Sequence, residues 1–330
     1  MCTAVAYKTK DHYFGRNLDL EYCYNETVTM TPRNYHFQFR DTEDMKPKSD
    51  SMEHYAFIGM AYVVDSYPLY YDAVNEKGVA VAALNFPDNA AYHTVQKGKM
   101  NLASYELIPW ILCQCADVEE VVKMLENVNI TKTYFREDLP ASPLHFMVSD
   151  RKRSIVLEPM TMGLMIYDNP VHVLTNNPPF LYHTTNLNNY MSLTNGVPEN
   201  NFSDKLPLNQ YSRGMGSLGL PGDLSSVSRF VRAAFTTLNS VSGDKEEESV
   251  SQFFHILNSV YQQRGCVKMD KDVYEKTVYS SCCNTDKGIY YYTTYDNAQI
   301  TAVDMHRENL NGKELISYEL IKRQQINYQN

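Results

Sequence analysis

The order of elements along the chain predicts an α+β protein: two packed, mainly antiparallel sheets with helices outside them. Two observations carry this reading. Runs of short alternating segments open the chain, fill its middle and close it. Two pairs of helix-patterned segments separate those runs, an order that layers helices on sheets. A third observation bears on domain number. No internal repeat and no clear linker interrupts the 330 residues, so one domain over 1–330 is expected. A 43% hydrophobic and 21% charged composition suits a sizeable buried core and excludes a disordered chain.

The elements follow in order. CTAVAYK, directly after Met1, alternates and reads as a strand; HYFGRN and TVTMTP continue the pattern across polar turns. The polar stretch from Arg40 to His54 is expected to be an exposed loop. Strands resume at YAFIGMAYVV and, after the turn at Asn75 to Gly78, at VAVAALNF. Asn101 to Cys115 has helical spacing. Asp117 is placed to cap a second helix through Val128, with Glu119 and Glu120 in its first turn. LHFMVSD, SIVLEP, GLMIYD and HVLTN are short strands. The Asn-, Pro- and Gly-rich region from Asn176 to Gly222 has little periodicity beyond a short helix near His183 to Met191. SSVSRFVRAAFTTLNS, with Ser225 as cap, and VSQFFHILNSVYQQ are helices. TVYSSCC, GIYYYTTY, AQITAVDM and ELISYEL return to strands.

Composition narrows the function. A net charge of −9 argues against nucleic acid or an anionic membrane as the main partner. No apolar run approaches the ~18 residues that span a bilayer. The opening MCTAVAYKTKDHY lacks the basic region and long apolar core of a signal peptide, which points to the cytoplasm. Seven cysteines without C-x-x-C spacing argue against a disulfide framework or zinc ribbon; Cys113, Cys115, Cys282 and Cys283 read as buried small apolar residues. The nine histidines show no ligand spacing, so neither a metal nor a cofactor is expected. Gly214-x-Gly216-x-x-Gly219 matches a dinucleotide fingerprint as a string. It follows no strand and opens no helix, so a close-packed loop is the better reading.

The chemistry is sought at the start of the chain. Removal of Met1 is expected before a residue as small as cysteine, and Cys2 would then carry a free α-amine and a thiol together. An α-amine titrates near ~7.7–8.0 and can accept the thiol proton, so such a nucleophile brings its own base. Position alone favours reading Cys2 as accidental. The segment Phe14 to Glu21 changes that, because in a hairpin it runs back beside the N-terminus. Alternation puts Asn17 and Asp19 on one face and Arg16 and Leu18 on the other. An arginine there favours the thiolate over the thiol, and an aspartate can orient the new ammonium; the plainer alternative is a pair of ordinary hairpin charges.

MCTAVAY…FGRNLDLEY resembles the start of the choloylglycine hydrolase family, which contains the conjugated bile acid hydrolases and the penicillin V acylases. NEKGVAVAALNFP, LHFMVSD, VLTNNP, GLPGDLSSVSRFVRAAF, FFHILNSV and DKGIYYYTTYDNAQITAVDM resemble family segments in family order, so the likeness covers essentially the whole chain. It implies a four-layer αββα N-terminal nucleophile hydrolase fold and a cysteine amidase. It implies Cys2 as nucleophile with its amine as base, Arg16 and Asp19 as the charged pair beside it, and Arg229 completing the polar cluster. The Asn176 side-chain amide and the Asn85 backbone N–H would be the oxyanion donors.

The segments look closer to bile salt hydrolases than to penicillin V acylases, which often carry Tyr where this chain has Asn85. The implied substrates are bile acids conjugated to glycine or taurine. Penicillin V, other N-acyl amides such as acyl-homoserine lactones, transfer of the acyl group to another amine, and a non-catalytic binder of the same fold stay open as alternatives. By resemblance, mouth loops carrying Leu18, Tyr24, Met60, Val64, Tyr71, Phe135 and Leu139 would line the steroid cleft, though each suits a core or interface equally. Ser212-Arg213-Gly214 leans toward glycine conjugates, while Arg213 could pair with a carboxylate or a sulfonate alike. The stretch from Thr184 to Asn209 resembles a loop that packs subunits into homotetramers. The first hairpin turn, Lys10 to His12, looks short for the family.

Overall fold

The computed structural model describes residues 1–39 and 54–330. The loop expected over Arg40–His54 lies, but for His54, outside the described residues. The chain runs β1 (Cys2–Lys8), β2 (His12–Leu20), β3 (Thr27–Thr31), β4 (Phe57–Val64), β5 (Tyr67–Asn75), β6 (Ala80–Asn85) and β7 (Met100–Ala103). Helices α1 (Leu107–Gln114) and α2 (Val118–Leu125) follow, then β8 (Val128–Thr131), β9 (Leu144–Ser149), β10 (Ser154–Met160), β11 (Gly163–Asp168) and β12 (Val173–Leu174). After α3 (Phe180–Asn186), α4 (Ser226–Asn239) and α5 (Glu246–Asn258) come β13 (Val267–Asp270), β14 (Val273–Asn284), β15 (Ile289–Thr294), β16 (Asn297–Asp304) and β17 (Ile316–Glu319).

The strands form two large antiparallel sheets, as expected. The first has the order β12-β1-β2-β14-β15-β16, with β13 paired to β14; the second is β11-β10-β9-β6-β5-β4-β3-β17. Helices α4 and α5 cover the first sheet and α1 covers the second. The layers are therefore αββα, and side-chain alternation sorts residues between them. On β6, Ala80, Ala82 and Leu84 enter the core between the sheets, whereas Val81 and Ala83 face the helix side. Met147 against Phe146 and Val148 on β9, and Val156 against Ile155 and Leu157 on β10, do the same. Both faces of these strands are buried, which explains their near-continuous apolar runs.

Three expectations need correction. Asn101 to Cys115 is not one helix: Met100–Ala103 is a strand pairing in parallel with β8, and the α-helix begins at Leu107. Asp117 does cap α2, accepting the Glu120 N–H at 2.9 Å, but the helix stops at Leu125 because Val128 belongs to β8. Strand β5, which carries no clear alternation, and the four-residue β13 were not expected. In β5, Tyr67, Tyr70 and Ala73 face one core while Val74 and half-buried Tyr71 face the other, so its apolar residues show no period of two.

Cys113, Cys115, Cys282 and Cys283 are buried as expected. Gly216 packs closely: an added Cβ would sit 2.3 Å from the Gly196 carbonyl oxygen and 2.5 Å from that of Thr194, so any side chain would push the two segments apart. Among the described residues, no helix is long and apolar enough to cross a membrane, and no group of three or more His, Cys, Asp or Glu could hold a metal ion.

Candidate active site

Register brings the distant sequence segments together. Strand β1 lies between β2 and β12, with Ala4 opposite both Arg16 and Leu174, and Cys2 opposite Leu18. Two residues beyond Leu174, Asn176 therefore reaches the start of β1. Its side-chain Oδ1 accepts the Cys2 backbone N–H at 2.7 Å and Arg229 Nη2 at 2.9 Å, and its Nδ2 donates to the Asn85 carbonyl at 2.7 Å. The partners fix the amide orientation, because an N–H and a guanidinium can only donate and a carbonyl can only accept.

Arg229 stands in the first turn of α4, whose cap is Ser225 as expected. It is wholly buried, and its Nη1 donates to the Cys2 carbonyl at 2.5 Å and to Thr3 Oγ1 at 2.6 Å. Arg229 is therefore part of the interior and not a charge on the helix surface. Burial pushes this guanidinium below its ordinary range, while Asp19, Cys2 and Glu275 work the other way.

Arg16 points from β2 to the opposite sheet, where its Nη1 donates to the Tyr71 carbonyl at 3.0 Å and to that of Ala83. Burial opposes its charge, but Cys2, Tyr279, Asp72 and Asp19 outweigh burial and hold its pKa above the ordinary value. Asp19 is also fully buried, with Thr277 Oγ1 donating to its Oδ1 at 2.6 Å and no hydrogen-bond partner at Oδ2. Burial raises its pKa, against the pull of Arg229 and the terminal ammonium. With Met1 in place, the β1–β2 ladder extends by one pair. The Met1 ammonium donates to the Asp19 carbonyl at 2.6 Å and pairs with Glu275 at 2.6 Å, and the Asp19 N–H donates to the Met1 carbonyl at 2.9 Å.

Two carboxylates here escaped the sequence reading. Asp72 is buried on β5 and accepts the hydroxyls of Tyr279 and Tyr290 at 2.6 Å each and of Ser281 at 3.0 Å. Glu275, on β14, is buried beside the terminus. Asp72 carried one signal, a single acidic residue inside a mostly apolar and aromatic strand run, whereas Glu275 stands beside Lys276 and looks like an ordinary strand charge.

The expected pocket residues are not gathered on mouth loops. Leu18, Met60 and Tyr71 lie on β2, β4 and β5 and pack into the core between the sheets, Met60 with no exposed surface. Val64, Phe135 and Leu139 join the other core, under the helices, and Phe135 is itself buried. Strand alternation makes this division, since Met60 and Leu18 occupy inward positions. Tyr24 is exposed, 6.0 Å ring to ring from Tyr62, and Arg213 is exposed on the long loop. Arg136, beside Phe135, bonds Asp65 at 3.0 Å and so joins its loop to the β4–β5 turn.

The αββα stack, with a cysteine opening an inner strand beside two buried guanidiniums, defines the N-terminal nucleophile hydrolase class. The chain belongs to the linear amide C–N hydrolases of the choloylglycine hydrolase family, whose model matches residues 2–318. It is 55% identical over 320 residues to a bile salt hydrolase/transferase of Lactiplantibacillus plantarum, covering 97% of each chain. The structure of a conjugated bile acid hydrolase from Clostridium perfringens, in its C2A mutant form, superposes with a TM-score of 0.90 at 40% identity and full coverage of both chains. A penicillin V acylase from Agrobacterium tumefaciens shares the fold, with a TM-score of 0.73 at 20% identity over 96% of this chain and 91% of that one.

Proposed function

We propose that the protein hydrolyses the amide bond of glycine- or taurine-conjugated bile acids through a thioester on Cys2. The observation that carries this reading is the hydrogen-bonded cluster of Cys2, Asn176 and Arg229 at the start of β1, in a chain 55% identical to a bile salt hydrolase/transferase.

Once Met1 is removed, the Cys2 nitrogen becomes an amine held at Asn176 Oδ1. The amine takes the thiol proton and Sγ attacks the amide carbonyl. Arg16 and Arg229 both lie within electrostatic reach of Cys2 and face the charge that moves through the site as sulfur attacks. The carbonyl oxygen gains charge and accepts from the Asn85 backbone N–H and from Asn176 Nδ2, which carries a second N–H besides the one given to the Asn85 carbonyl. The C–N bond breaks as the Cys2 ammonium protonates the departing nitrogen. Water, deprotonated by the same amine, then attacks the thioester and releases the bile acid and the free thiol. Asp19, buried beside the start of β1, orients the ammonium in each half-reaction.

A second reading is favoured by the name of the 55% identical relative, a hydrolase/transferase. The thioester is also open to an amine, and capture by one gives a new conjugate. The reading extends to a cytoplasmic homotetramer joined through residues 184–209, which bear the exposed Met191 (82%) and Phe202 (79%).

The test is amine release followed by mass spectrometry, glycine from glycocholate, taurine from taurocholate and the free β-lactam amine from penicillin V, each supplied separately, with Cys2→Ser as control. Dominant release from the bile salts, lost in the control, is the expected result. Dominant cleavage of penicillin V overturns the substrate, and turnover that persists in Cys2→Ser overturns the mechanism.

A further inference from the structure

Three main-chain polar groups of Thr175 and Asn176 are held by neighbouring side chains. The Asn176 N–H donates to Ser226 Oγ at 2.9 Å. The carbonyl of Asn176 lies 2.8 Å from His183 Nε2 and the carbonyl of Thr175 lies 2.8 Å from His145 Nε2. A carbonyl only accepts, so both Nε2 atoms carry their proton. His145 stands on β9 opposite Leu84, one residue from Asn85, and has no exposed surface. Its Nδ1 lies 3.2 Å from Oε1 of Glu158, which is equally buried. The same Oε1 accepts the Phe180 N–H at 2.9 Å, fixing the start of α3.

The faces of the imidazole matter as much as its edges. The ring of Phe86, the residue after Asn85, stacks on His145 with centroids 4.2 Å apart and planes 5° from parallel. One side chain therefore hydrogen-bonds the residue before Asn176 and stacks on the residue after Asn85. The two segments also meet directly, where Asn177 Nδ2 donates to the Pro87 carbonyl at 2.6 Å.

We propose that His145, braced by Glu158, is a positioning residue that sets the spacing between the two oxyanion donors, Asn176 and Asn85. The inference rests on the amidase reading above. A flat ring with an N–H on its edge serves both contacts at once. Phenylalanine keeps the stacking face and loses the donor; glutamine keeps a donor and loses the face. Displacement of reacting groups by about 1 Å costs on the order of 100-fold in rate, so the spacing is worth holding.

The experiment compares wild type with His145→Phe, His145→Gln and Phe86→Leu on glycocholate. Rates are normalised to reactive Cys2, counted as alkylation of the N-terminal peptide by mass spectrometry because Cys23 and Cys266 are free and exposed, and thermal melts are recorded alongside. We expect kcat per titrated site to fall about 100-fold in His145→Phe and about 10-fold in each of the other two, with KM within about threefold of wild type. A lower melting temperature with unchanged kcat per titrated site overturns the proposal, because it leaves His145 a merely structural role. If His145→Phe does not fold, His145→Gln and Phe86→Leu are judged by the same criterion. Wild type that turns over no bile salt and no penicillin V overturns the amidase reading and this proposal together, an outcome distinct from active wild type with unaffected variants.

Discussion

Asn176→Asp separates the two jobs that the geometry gives one side chain. Asparagine accepts from the Cys2 N–H at 2.7 Å and from Arg229 Nη2 at 2.9 Å, and donates to the Asn85 carbonyl at 2.7 Å. Aspartate is isosteric and keeps the acceptor side, now as a charged oxygen facing an amine and a guanidinium. It loses both N–H groups and turns an oxygen toward the Asn85 carbonyl. Loss of one oxyanion donor costs about 2.7–4 kcal/mol, a factor of roughly 100–1,000 in kcat. Asn176→Ala removes both jobs. It also strips the buried Cys2 N–H and Arg229 Nη2 of an acceptor, each at a stability cost of about 1–3 kcal/mol. We therefore expect both variants to lose at least about 100-fold in kcat, and only Asn176→Ala to lose substantial stability. Steady-state glycine release from glycocholate and urea unfolding make the two measurements. An Asn176→Asp enzyme with kcat within about fivefold of wild type would refute the donor role and leave Asn176 a holder of the amine.

The remaining predictions concern the buried charges. Asp72→Asn removes one of the two carboxylates whose charge supports the buried Arg16 and leaves the hydroxyls of Tyr279, Tyr290 and Ser281 facing a neutral amide; a hydrogen bond to a charged group is worth about 1.5–3 kcal/mol, so stability should fall by at least about that much, read from the urea midpoint at constant m-value. Arg229→Lys keeps the charge, but an ammonium on a flexible stem cannot reproduce the fork onto Cys2 O, Thr3 Oγ1 and Asn176 Oδ1; kcat should fall by at least about tenfold, and full activity would show that charge alone suffices. Burial holds both His12 and His183 down to about 4. The unfolded chain therefore binds the extra protons between pH 6.5 and 4. Stability from these groups is full above about pH 6.5 and is lost as pH falls toward about 4, by roughly 3 kcal/mol for each. Thermal melts across that range should fall with pH, and His183→Gln should flatten the slope; an unchanged slope would sink the assignment.

The sequence determined the layers and most elements of this protein, and by family resemblance it pointed to the residues that the fold assembles around Cys2. Alternation and capping are local, so CTAVAYK, LHFMVSD and the Ser225-capped helix were legible from their own residues. Local pattern failed where both faces of a strand are buried, as in Tyr67–Asn75, and where a short parallel strand precedes a helix, as at Met100–Ala103. What only the tertiary structure decided is which atoms meet. Asn176 lies 174 residues from Cys2, and Arg229 lies 53 residues further on; register between β1 and β12 and the packing of α4 on β1 bring them within hydrogen-bonding distance. Asp72, Glu275 and His145 carry no spacing signal, because each meets its partners across a sheet or between sheets rather than along the chain. The residues expected to line a cleft, such as Leu18, Met60 and Tyr71, are ambiguous in sequence for a related reason. An apolar residue at an inward strand position looks identical in sequence whether it lines a core or a cleft.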